Sequence, residues 1–153
     1  MSTNLAHEAA IRRGIHQMHF YDINLLSTVV YQFFAGLDRR DHACTARLMA
    51  RNGIWHRQGE ELVGPDAVFA ALERRDPYRG TGHLVTNLWV EHGSETTARL
   101  RYYMTAYETL TGTDGSMSKP KLLGVRDCTD DLVMEDSQWR ISCKRSRLML
   151  PSA

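Results

Sequence analysis

The sequence predicts an α+β domain, a curved antiparallel (mixed) sheet with three N-terminal helices packed on its concave side. Two observations carry this expectation. As far as Pro77 the apolar residues recur at helical spacing, interrupted by one short hairpin, and from His83 onward they alternate with a period of 2. Helices first, then four long strands joined by short turns, is the order of a β-meander covered by helices.

Ala9 to Met18 has weak helical character, and residues 1–20 read as an N-terminal arm or short helix. Asp22 is placed to cap the main helix, Leu25 to Leu37, whose apolar residues are Leu25, Leu26, Val29, Val30, Phe33, Phe34 and Leu37. Gly36 weakens its last turn. Asp41 is positioned to cap a second short helix through Met49, with Asn52-Gly53 as its left-handed end. Ile54-Trp55-His56-Arg57 then reads as a strand, Gly59-Glu60-Glu61 as a hairpin turn and Leu62-Val63 as the return. Gly64-Pro65-Asp66 opens a third helix with Val68, Phe69 and Leu72 on one side, stopping before Pro77. Strands are expected at 83–92, 96–110, 121–134 and 138–149, with turns at Gly93-Ser94, Gly112 to Ser116 and Glu135 to Ser137.

A chain of 153 residues is the size of one domain, so residues 1–153 are read as a single unit. Its formal charge is only +1, which argues against nucleic acid or an anionic membrane as partner. Three cysteines, Cys44, Cys128 and Cys143, are widely spaced without a C-x-x-C pair, and fit reduced thiols and a cytoplasmic location. Met1 to His19 has no unbroken apolar core of the secretory kind, and no run approaches the roughly 20 apolar residues of a spanning helix.

The segment Gly82 to Glu91 carries the most chemical information. It starts a strand with His83, and strict alternation puts Val85, Asn87 and Trp89 on the same face and Leu84, Leu88 and Val90 on the other. Both faces are then apolar, which calls for cover by another subunit, a homodimer or homotrimer. A histidine on rigid β-structure can be held in one tautomer by a carboxylate and act as a base near neutral pH. The candidate carboxylate is Asp38, at the end of the main helix.

These residues resemble the SnoaL-like branch of the nuclear transport factor 2-like superfamily over most of the chain. The matching pieces are Phe33 to Asp41, Trp55 to Gly59 leading to Gly64, His83 to Asn87, and Trp139-Arg140-Ile141 with Arg145. The resemblance implies a cone-shaped half-barrel whose hollow interior holds a small, largely apolar ligand. In scytalone dehydratase-like and hexachlorocyclohexane dehydrochlorinase-like members, an Asp ending the first long helix and a His opening the first long strand form a catalytic dyad. The matching positions are Asp38 and His83. Dehydratases of this kind often place a tyrosine beside or shortly before the Asp. Here Phe33 and Phe34 stand there, with Tyr31 seven residues upstream of Asp38.

The expected chemistry is proton abstraction from a small hydrophobic, cyclic substrate, as in a lyase or isomerase, with no metal or organic cofactor. Asp38 fixes the His83 tautomer and stabilises the imidazolium that forms. Asn87 or a tyrosine is the candidate donor to a developing oxyanion. Tyr31, Phe34 and Asp38 share one helical stripe, so Tyr31 either looks into the cavity or packs as plain core. Trp55, Phe69, Tyr102 and Met104 are pocket lining by pattern and resemblance, or ordinary core. His16, His19 and Asp22 make a poor metal set without a third fixed ligand on the helix. His42 and His92 read as surface turn residues, His56 points away from the cavity if Trp55 points in, and Lys144, Arg145 and Arg147 form a solvated strand edge. An ion pair from Arg145 to Asp127 or Asp131 is the other reading of that edge.

Two other functional classes compete. Thr86-Asn87-Leu88, the strand of Arg99 and Arg101, and the ending Trp139 to Arg145 also resemble the non-catalytic small subunit of aromatic-ring-hydroxylating dioxygenases. A binding-only cone for a small ligand is the other. A fold alone does not choose among them.

Overall fold

The computed structural model describes residues 23–152. The expectations for residues 1–20, for the Asp22 cap and for the His16, His19, Asp22 set lie outside them. The first helix, α1, covers residues 23–39. Leu26, Val29, Val30, Phe33, Phe34 and Leu37 form its buried stripe, as the spacing predicts, whereas Leu25 is exposed. Its end is a Schellman turn: the Arg40 N–H donates to the Leu37 carbonyl at 3.3 Å and the Asp41 N–H to the Gly36 carbonyl at 2.9 Å. Arg40 takes the left-handed conformation there (φ 58°), a position that usually falls to glycine. Its guanidinium explains the exception, because it donates to the carbonyls of Arg75, Asp76 and Arg79 at 3.0–3.3 Å and so clamps the end of α1 to a distant loop.

Helix α2 is His42–Arg47, with the Asp41 carboxylate accepting from the Cys44 N–H at 3.0 Å. It ends earlier than expected. Met49 already belongs to strand β1, Met49–Arg57, and Asn52-Gly53 lies inside that strand instead of closing a helix. The pairing of β1 with the last strand shifts register between Met49 and Ile54, and a side chain on Gly53 would collide with the Ile141 carbonyl. Gly53 is thus a glycine of close approach. The hairpin turn sits at Gln58-Gly59, both left-handed, one residue before the expected position, and returns through β2, Glu60–Val63. Helix α3, Gly64–Glu73, begins with Pro65 in its first turn and buries Val68, Ala71 and Leu72, but Phe69 is 40% exposed.

The four long strands are β3 (Arg79–Gly93), β4 (Thr97–Leu110), β5 (Lys121–Glu135) and β6 (Gln138–Pro151), within a few residues of the sequence boundaries. They join the first hairpin in one six-stranded sheet of order β2-β1-β6-β5-β4-β3. All pairs are antiparallel except β1 with β6, so the sheet is mixed, and it stays open with β2 and β3 as its edges. The α1 stripe joins Ala98, Leu100, Tyr102, Met104 and Ala106 of β4 in one core, with Phe33 edge-on to Trp55 at 5.1 Å.

Strand β3 breaks the alternation. Its pairing with β4 shifts between Thr86 and Trp89, and Asn87 has φ 51°. One extra residue moves the side chains after it to the other face, as far as a second shift between Val90 and His92. Val85, Leu88 and Val90 therefore all pack against the core, while Leu84 and Trp89 are exposed. The fully apolar outer face expected from strict alternation loses Leu88 and Val90. That outer face is instead crossed by ion-pair ladders, Arg99–Asp131–Arg145 and Arg101–Asp127–Arg147, with Arg145 on Asp131 at 2.6 Å. His42 is buried, not at the surface, with its Nδ1 2.6 Å from Glu73 Oε1 on α3. His92 is exposed but lies within β3 instead of a turn.

Phe33, with no exposed surface, and Phe69, 40% exposed, should respond differently to truncation. Phe33→Ala is expected to cost about 3–5 kcal/mol through the cavity it leaves, and Phe69→Ala no more than about 1 kcal/mol. Urea unfolding midpoints of the two variants check this.

Candidate active site

The site is built where the end of α1 meets the start of β3. The Schellman turn at Arg40 holds Asp38 in the last turn of α1, and its carboxylate faces β3. Asp38 Oδ2 accepts the backbone N–H of His83 at 2.9 Å, and Oδ1 lies 2.6 Å from His83 Nδ1. Thr81, two residues earlier on the same face of β3, donates its hydroxyl to Oδ1 at 3.0 Å. Arg75 completes the chain, donating to Thr81 Oγ1 at 2.9 Å and to the Leu37 carbonyl at 2.8 Å.

These contacts define the charge state. Burial pushes the Asp38 carboxyl up, but hydrogen bonds from the His83 ring, the His83 backbone and Thr81 together outweigh it and hold the group below its ordinary 3.8. An ionised Asp38 can only accept, so the proton between the two groups resides on Nδ1 and leaves Nε2 as the basic nitrogen. The imidazole is further fixed by the Phe34 ring, 5.1 Å away and tilted by 34°. The His83 side chain retains only 12% exposure.

His83 borders a cavity of about 500 Å³. Of the residues expected to line it, Phe34, Trp55, Tyr102 and Met104 do so. Tyr31 does not: it is 50% exposed and borders a separate, more open groove together with Phe34, Asp38 and His83. Of the stripe Tyr31, Phe34 and Asp38, Phe34 lines the cavity and Asp38 meets His83, and only Tyr31 faces outward. Asn87 is exposed at the β3 bulge and outside the cavity, and Phe69 lies on the outer side of α3. His56 borders the cavity beside Trp55, against the expectation from strict alternation, and its Nδ1 lies 3.3 Å from Glu61.

A second polar cluster lies on the same cavity. Lys144 Nζ donates to Asp130 Oδ2 at 2.7 Å and to the Tyr102 hydroxyl at 2.8 Å, and that hydroxyl donates to Asp130 Oδ2 at 3.0 Å. Lys144 is buried, not part of a solvated edge, with its ammonium 4.2 Å from the Phe33 ring centre and 4.6 Å from that of Phe34. Burial raises the carboxyl pKa of Asp130 despite the ammonium beside it, and raises the Tyr102 phenol well above 10.0. The sequence carries a signal for this cluster: Cys128, Asp130 and Leu132 alternate on the buried face of β5, and a buried Asp requires a cation. The phase of Lys144 is hidden, because the β5–β6 pairing shifts between Asp131 and Leu132.

Among the described residues no three His, Cys, Asp or Glu side chains converge as a metal site, and no helix is long and apolar enough to cross a membrane. An open six-stranded sheet around a hollow, with α1 packed across it, defines an α+β protein of the nuclear transport factor 2-like, cystatin-like fold. The sequence matches the SnoaL-like domain over residues 18–145, and the chain belongs to that family. No curated protein matches it. Among solved structures, a protein named provisionally as a scytalone dehydratase from Novosphingobium aromaticivorans superposes with a TM-score of 0.76 at 20% identity, over 88% of this chain and 89% of that one. An NTF2-like protein with a cystatin-like fold from the same organism gives 0.68 at 15% identity, covering 97% and 92%. ActVI-ORFA from Streptomyces coelicolor gives 0.68 at 15%, covering 82% and 96%. At such identities the likeness is one of fold.

Two outcomes are expected from the charged pairs. Lys144→Met leaves Asp130 buried without its cation and should cost about 3–5 kcal/mol, while adding Asp130→Leu should recover much of the loss, measured by denaturant unfolding. Because the folded pKa of Asp38 is depressed, its contribution to stability is present above 3.8 and is lost as pH falls through the lower folded value. The stability gap between wild type and Asp38→Asn should therefore close only below 3.8, as followed by acid titration of the two proteins.

Proposed function

We propose that this protein is a lyase or isomerase that needs no cofactor and uses His83 to take a proton from a small hydrophobic, cyclic substrate bound in the cavity. One observation carries the reading: the 2.6 Å contact between Asp38 and His83 Nδ1 at the wall of a cavity large enough for such a substrate. Asp38 orients the ring and stabilises the imidazolium, and Nε2 is the accepting atom. The aromatic and thioether wall of Phe34, Trp55 and Met104 would hold the ring system next to it.

The dyad makes proton transfer the core of the reaction, and elimination or migration of a double bond completes it. General-base catalysis contributes roughly 100- to 10,000-fold, and positioning in the cavity supplies a further share. A screen of cyclic ketones, hydroxyketones and halogenated rings in deuterated water, read as deuterium uptake, tests the reading without knowledge of the product. His83→Gln should lower exchange on a responsive compound by about 100-fold or more, with the far-ultraviolet circular dichroism unchanged. Undiminished exchange in that variant would overturn the assignment.

A further inference from the structure

The cavity wall is rich in cations. Arg57, Arg75, Arg79, Arg126, Lys144 and Arg145 all border it. Three of the six are neutralised by carboxylates outside the cavity: Arg79 by Glu108 at 2.7 Å, Lys144 by Asp130 at 2.7 Å and Arg145 by Asp131 at 2.6 Å. Arg57, Arg75 and Arg126 have no ion pair among the described residues. Arg126 spends its donors on the Ser146 hydroxyl and carbonyl. Arg75 donates to the neutral Leu37 carbonyl and Thr81 hydroxyl, and Arg57 lies over the Trp55 ring at 5.2 Å.

Arg57 and Arg75 belong together. Both are half-buried and border the same cavity. Burial lowers the pKa of Arg75, and the neighbouring Arg40, Arg79 and Arg57 lower it further, opposed by Asp38. Arg57 shows the same pattern, with burial first and then Arg79, opposed by Glu60 at the hairpin. Glu60 and Glu61 are exposed at the cavity rim, and Glu61 already meets His56. Arg57 and Arg75 thus stand at one wall with other cations nearby and only the more distant Glu60 and Asp38 to oppose them, an arrangement that an incoming anion relieves. Arg75 also touches the Thr81 hydroxyl that serves Asp38, so an anion on its free donors would sit beside the dyad.

Resting on the proposed proton transfer at His83, we infer that the substrate is a hydrophobic carboxylate, with its carboxylate held by Arg57 and Arg75 and its ring against Phe34, Trp55 and Met104. A guanidinium presents a planar fork of donors that matches a carboxylate and is always charged. The anion sets the substrate's orientation, and the apolar wall sets its fit. This narrows the substrate class from any small hydrophobic ring to an acid.

Binding of naphthalene-2-carboxylate against naphthalene-2-carboxamide, the same ring without the charge, tests the inference by tryptophan fluorescence and calorimetry. The acid should bind at least about tenfold more tightly at low salt, and the preference should shrink as salt is added. Arg57→Gln and Arg75→Gln should each erase most of it. Arg75 also supports the Leu37 carbonyl, so Arg57→Gln keeps the test available if Arg75→Gln misfolds. Equal affinity of acid and amide, absence of binding of either included, overturns the inference, as does a preference lost in Arg126→Gln but kept in Arg57→Gln. His83→Gln should retain the preference for the acid while losing deuterium exchange. Failure of the base assignment and failure of the anion site are thereby read from different measurements.

Discussion

The carboxylate of Asp38 ties the protein together at the point where its two halves meet. One helical residue satisfies the backbone N–H of His83, its ring nitrogen and the Thr81 hydroxyl at once, so the end of α1 and the start of β3 are fixed to each other by three bonds. That geometry depends on how α1 stops. Arg40 accepts a left-handed backbone, and its guanidinium recovers the cost by holding three carbonyls of the segment that leads into β3. The same segment supplies Arg75, whose bonds to Leu37 and Thr81 close a ring around the carboxylate. The fixed geometry of Asp38 and His83 is therefore a property of the helix end, the connecting segment and the strand together.

A second constraint runs through the floor of the cavity. Lys144 and Asp130 are both buried, and such a pair is weak evidence for stability because desolvation offsets much of its attraction. It does fix arrangement. The ammonium is held between a carboxylate, a phenol and two aromatic rings, which positions Tyr102 and Phe34. Phe34 in turn packs on His83, so the two polar clusters meet at one aromatic ring. Asp130 Oδ1 has no hydrogen-bond partner among the described residues, which adds to the cost of burying that carboxylate.

Sequence patterning resolves what depends on periodicity. The long strands, the buried stripe of α1, the Asp41 cap and the pairing of Asp38 with His83 follow from spacing, turn chemistry and resemblance. Departures arise at the irregularities. At Asn87, between Met49 and Ile54, and between Asp131 and Leu132, the register shifts, and each shift reverses or breaks the alternation on which facing depends. Leu88, Val90 and Lys144 occupy environments that strict alternation does not predict for that reason alone. Bulges are set by backbone fit to a neighbouring strand, as when Gly53 approaches Ile141, and the neighbour is not known from the strand's own residues. Tyr31 shows a different limit. It shares the stripe of Phe34 and Asp38 as the spacing predicts, but how far along a stripe the cavity reaches depends on the sheet packed against it.

The cavity's polar groups bear on the kind of proton transfer that the proposed reading entails. Elimination of water usually benefits from an acid opposite the base, and where the dehydratases that this sequence resembles often place a tyrosine near the Asp, Phe33 and Phe34 stand here. Tyr102 is the tyrosine inside the cavity, yet burial and the neighbouring Asp130 push its phenol well above 10.0, and its hydroxyl proton is engaged with that carboxylate. Such a phenol is a poor proton donor near neutral pH. Lys144 is likewise committed to Asp130. On this reading the proton abstracted by His83 is carried by the imidazolium and returned by it, which suits movement of a double bond within one substrate better than loss of a poor leaving group.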